Sequence, residues 1–102
     1  MTRPEILAWL DARRPAPPPA LRAHLDAAVR DAPEPLADHL ARLGDELLAR
    51  VARRPAGGRE LALDLLAADA FVTYAFEAQA ETAVAGLAGL AARVAARAAA
   101  SP

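Results

Sequence analysis

Apolar residues recur at helical spacing through most of this chain, and no stretch alternates long enough to read as a strand. Leu36, Leu40, Leu43, Leu47 and Val51 follow a three-four spacing. Asp38, Arg42, Asp45, Glu46, Arg50 and Arg53 occupy the other side, which predicts an amphipathic helix over about 35–54. Pro55 ends it, and Ala56, Gly57 and Gly58 supply a tight reversal.

After that reversal the pattern becomes one long element. No proline interrupts Glu60 to Ala100, and Gly86 and Gly89 are its only glycines. Leu61, Leu65, Val72, Phe76, Leu87, Leu90 and Val94 share one helical face. The prediction is a helix over about 59–98, continuous or bent near 86–89. At ~1.5 Å per residue it spans roughly 58 Å, well beyond a compact domain of this size. Its first half is expected to lie against the 35–54 helix through Leu40, Leu43 and Leu47 on Leu61, Leu65 and Val72. Its second half then needs a partner, because a bare apolar stripe is costly in water. Leu87, Leu90 and Val94 are the candidate interface, and Ala85, Gly89, Ala92 and Ala96 form a second, small-residue row.

Two shorter helices come first. Thr2 and Glu5 have capping-box spacing, and Pro4 suits a first turn, so a helix is expected over about 3–14. Ile6, Leu7 and Leu10 would face inward, with Trp9 beside them as an edge anchor or an interface residue. Pro15, Pro17, Pro18 and Pro19 form a stiff spacer. A helix over about 19–31 follows, with Leu21, Leu25, Ala28 and Val29 inside and Arg22, Asp26 and Arg30 as an outer ladder. The expected fold is all-α, a single helical domain with a bundle of four or five helices and a long C-terminal helix.

Composition narrows the function classes. The chain has 102 residues, a formal net charge of −1 and no cysteine. Disulfides and cysteine-ligated metals are therefore excluded, and no strong field draws it to nucleic acid. Every basic residue is arginine, which fits a high-GC bacterial genome and makes alanine a weak signal. The first residues lack a signal-peptide core, and Asp64, Asp69, Glu77 and Glu81 interrupt the best candidate for a membrane span, so a cytoplasmic protein without a span is expected.

Candidate chemistry is sparse. There is no glycine-rich phosphate loop or nucleophile elbow, and the only serine is Ser101, so no enzymatic activity and no cofactor are expected. Asp69 falls inside the Leu65–Val72–Phe76 stripe and is expected either in a structural salt bridge or at the rim, or else, with Thr73 and Tyr74, as a polar group of a ligand pocket. Asp64, Glu77 and Glu81 lack the Glu-x-x-His pairs of a di-iron bundle, and His24 and His39 are expected at solvent edges, so no metal is expected. Arg50, Arg53, Arg54 and Arg59 read as a solvated helix end. The expected function is a protein–protein interaction module acting by self-association, as a homo-oligomer, or on a larger partner. A bundle holding an apolar ligand near Asp69 is the alternative, and a DNA-binding regulator the second.

Overall fold

The computed structural model describes residues 1–54 and 57–100 and is all-α among them. Four helices follow one another: α1 (Arg3–Asp11), α2 (Pro19–Ala28), α3 (Leu36–Ala52) and α4 (Arg59–Ala100). The expected stop at Pro55, the turn residue Ala56 and the terminal Ser101 lie outside the described residues. There is no fifth helix among the described residues, because α4 runs unbroken for 42 residues through Gly86 and Gly89.

The helix ends follow local chemistry. Thr2 and Glu5 form the expected capping box at the start of α1, each side chain bonding the other's backbone N–H. α1 closes at Asp11 rather than Arg14, where the Arg13-Arg14-Pro15 run leaves the helix. α2 closes at Ala28 because Val29 turns extended at ψ 136°. Arg3 takes up the freed carbonyls there: its guanidinium donates to Val29 O at 3.1 Å and Asp26 O at 2.8 Å. Met1 and Ala32 exchange two backbone hydrogen bonds beside it. Arg22 pairs with Asp26 as expected, while Arg30 reaches Glu46 on α3 instead of completing the ladder.

The core lies where α3 crosses α4, with α2 and α1 closing the remaining sides. Leu40, Leu43 and Leu47 are buried as expected. What they pack on is not the expected stripe. α4 turns Ala67, Ala68, Phe71, Tyr74, Ala75 and Ala78 inward, and Leu65 and Phe76 face solvent. The reason is close approach. A Cβ built on Gly44 would sit 2.9 Å from Val72 Cγ2 and 3.3 Å from the Ala68 carbonyl oxygen. A glycine on α3 against alanines on α4 lets the helices approach closely, with Phe71 filling the core beside them.

The result is elongated, 71 × 24 × 22 Å with a radius of gyration of 17.9 Å. A compact chain of about 100 residues has a radius of gyration near 13 Å. The excess is the second half of α4, which runs on beyond the bundle and is exposed along its length.

Gly44→Leu is expected to destabilise the fold by about 1–3 kcal/mol, because the new side chain must push α3 off Ala68. Gly44→Ala should cost less, since a helix-propensity gain of about 1 kcal/mol offsets displacement of Val72. Chemical denaturation that ranks the two the other way would place the close contact elsewhere.

Candidate interaction surface

α4 carries two apolar faces on opposite sides. At about 3.6 residues per turn, the buried residues from Ala67 to Ala78 fall on one side. Leu65, Phe76, Leu87, Leu90 and Val94 fall on the other, flanked by Leu66 and Val84. The outward set is well exposed: Phe76 73%, Val84 65%, Leu87 66%, Leu90 51% and Val94 54%. An open apolar groove of about 280 Å³ between α3 and α4, lined by Ala37, Ala41, Val72, Ala75 and Phe76, continues this face sideways. On a chain this small, that makes an extended exposed apolar surface, the candidate for interaction.

A polar clasp sets where the bundle ends. The Trp9 indole N–H donates to Glu81 at 2.9 Å. Arg13 bonds Glu77 and Glu81, each at 3.0 Å, and stacks over the Trp9 ring at 3.7 Å from its centroid. Tyr74 meets Trp9 edge to face. The indole hydrogen bond, followed by the Arg13 guanidinium, holds the Glu81 carboxyl below its ordinary range. Burial, followed by the Glu77 charge, pushes the Tyr74 hydroxyl up. Trp9 is thus an edge anchor within the chain, joining α1 to α4. Beyond Glu81 no side chain of α1, α2 or α3 hydrogen-bonds α4 among the described residues.

A second polar cluster lies at the other end of the bundle. Asp64 is fully buried, and its Oδ1 lies 2.6 Å from His24 Nε2. Arg54 Nη1 lies 3.1 Å from Oδ2 and Arg50 Nη1 3.9 Å from Oδ1. Oδ2 has no well-directed hydrogen bond despite that short Arg54 distance, so the contact is one of charge rather than aligned donation. Ligand atoms of His24, Glu60 and Asp64 come within 4.8 Å of one another, close enough to share a cation. A divalent ion placed there would face both guanidinium groups, which already neutralise the carboxylate. The cluster therefore fits an internal ion network tying α2, α3 and α4 together.

His24 and His39 depart from their expected solvent edges. His24 is partly buried against Asp64, and His39 is fully buried with Nδ1 2.9 Å from Glu34 Oε1. Arg42 also pairs with Glu34. Partial desolvation raises the Glu34 carboxyl, but its own backbone N–H, His39 and Arg42 outweigh this and leave it lowered. The other ring nitrogen of His39, Nε2, is buried without a hydrogen-bond partner among the described residues.

The expected pocket around Asp69 does not form. Asp69 and Thr73 are exposed on the outward face, and Tyr74 is buried on the inward one, so the three do not converge. Asp69 is outside because the stripe it belongs to is the solvent side of α4 rather than the core side. The stripe is real, but it points outward. Leu87, Leu90 and Val94 lie on its continuation beyond the clasp.

Two outcomes follow from the polar clusters. Glu81 has a depressed folded-state pKa, so its contribution is complete above the ordinary value of 4.5 and is lost as the pH falls through the lowered one. Trp9 fluorescence should be flat from neutral pH to about 5 and change only in more acid solution. Glu81→Gln should abolish that transition; its persistence assigns the change to another group. Arg54→Ala should destabilise by about 1–3 kcal/mol, because Asp64 loses its nearest guanidinium. An unchanged denaturation midpoint would mean that His24 and Arg50 suffice.

Comparison of the chain with protein-family models, with curated proteins and with solved structures finds no match, so the functional reading rests on this geometry.

Proposed function

We propose that this protein is a non-enzymatic helical module whose work is association through the outward face of α4, with a second copy of itself or with a larger protein. The observation that carries this reading is the apolar stripe Val84, Leu87, Leu90 and Val94, exposed on a helix that has already left its bundle. Folding does not need those residues, since the core is complete without them. Burying each large apolar side chain is worth about 1.5–3 kcal/mol. A surface left open at that cost is accounted for by a partner.

A lipid bilayer is the competing occupant. α4 contains an 18-residue window with a mean hydropathy of 1.3 and none of it buried, long and apolar enough to cross a membrane by length and composition alone. Its large apolar residues, however, sit on one face, and the remainder is mainly alanine and glycine with Arg93 and Arg97. A one-sided stripe suits a protein groove or a helix partner better than hydrocarbon on all sides.

Light scattering over a wide concentration range should give a mass above that of the 10.6 kDa chain. Leu90→Arg should return it to the monomer without loss of helicity, through one buried, unpaired charge. A wild-type chain that stays monomeric and co-sediments with neutral phosphatidylcholine vesicles would replace this reading with membrane insertion.

A further inference from the structure

From the spacing, sizes and charges along the outward face of α4, we infer that its occupant is a second copy of the same helix, packed antiparallel. The inference rests on the association reading and adds the partner and its orientation. Phe76, Ala80, Ala83, Leu87, Leu90 and Val94 succeed one another at intervals of four and three residues, the seam of a two-stranded coiled coil. The seam starts beside the groove that Ala37 and Ala41 of α3 form with Phe76 and runs clear of the bundle beyond Glu81, so a second helix lying on it flanks α3 at Phe76 and is otherwise unobstructed.

Side-chain size selects the orientation. In a parallel, in-register pair Ala80 faces Ala80 and Ala83 faces Ala83, which leaves two successive layers underfilled between the Phe76 and Leu87 layers. In the antiparallel pair that aligns Phe76 with Val94, Ala80 meets Leu90 and Ala83 meets Leu87. Small residues then receive large ones in each central layer, as close packing requires.

Charge selects the same orientation. Asp69 is the one acidic residue in the middle of the outward stripe, and Arg97 borders its far end. Neither has an ion pair or side-chain hydrogen bond among the described residues, whereas Glu77 and Glu81 are both held by Arg13. The antiparallel register brings the partner's Arg97 within about one helical turn of Asp69, a span its long side chain covers. A parallel pair sets Asp69 against Asp69 and Arg97 against Arg97.

The chain has no cysteine, so single spin labels can be placed at Ala85→Cys and Ala96→Cys, both on the side of α4 away from the seam. In the antiparallel dimer the two Ala85 labels lie level, while the two Ala96 labels are offset by about 33 Å along the axis. The Ala96 distance should therefore be much the longer. Asp69→Arg and Arg97→Asp should each weaken dimerisation about tenfold, and the double exchange should restore it. Equal label distances in a species heavier than the monomer overturn the antiparallel pair but leave association standing, as does a double exchange that fails to rescue. A monomer at every concentration removes both.

Discussion

Everything in this structure follows from how closely α3 approaches α4. Gly44 leaves no side chain between the helices, and Ala67, Ala68 and Ala75 present little more than a methyl surface opposite. Close approach lets Leu40, Leu43, Leu47 and Phe71 share one buried apolar cluster. It also decides what α4 must leave outside. A helix has one circumference. Once the alanine side is used for packing, the Leu65–Phe76–Leu87–Val94 side faces water.

Polar groups fix the two ends of that packing. At one end, Asp64 is buried among His24, Arg50 and Arg54 and joins three helices through a single carboxylate. At the other, Glu77 and Glu81 are gathered by Arg13 and Trp9, which bring α1 onto α4. Between them the core is apolar apart from His39, whose ring is turned to Glu34 at the rim. Buried polar groups of this kind specify how helices meet more than how firmly. Here they mark the length of α4 that belongs to the bundle.

Much of the fold was legible from the sequence because its signals were local. The Thr2–Glu5 capping box, the proline spacer before α2 and the leucine spacing of α3 each act within a few residues, and each appears as read. The face of α4 was not legible in the same way. Large apolar residues point to a core side by pattern alone, and alanine is a weak guide in a chain whose composition supplies it freely. Gly44 on the facing helix was the missing signal: a glycine inside an otherwise strong amphipathic pattern implies close backbone approach, and close approach needs small residues opposite. Asp69 was misplaced with its stripe. Asp64, a helical turn and a half earlier, is the carboxylate that burial selects, and its partners come from α2, from α3 and from Arg54 just beyond α3, which no spacing along α4 reveals.

The second half of α4 has to be explained by something other than folding. An isolated alanine-rich segment of that length is a marginal helix in water. Joined to the bundle, it starts from a nucleus that is already formed, so propagation continues and the segment is helical before any partner arrives. Ordering cost is then met in advance, which lowers the free energy that association must supply. Four exposed side chains at about 1.5–3 kcal/mol each give a gain comparable to the rigid-body cost of bringing two molecules together, about 4–15 kcal/mol. One stripe against a polar surface leaves that balance near zero. Two stripes against each other double the apolar side of it while the rigid-body cost is incurred once. Under the proposed association, a facing apolar stripe, such as that of a second copy, is therefore what brings this surface, at this size, past the rigid-body cost.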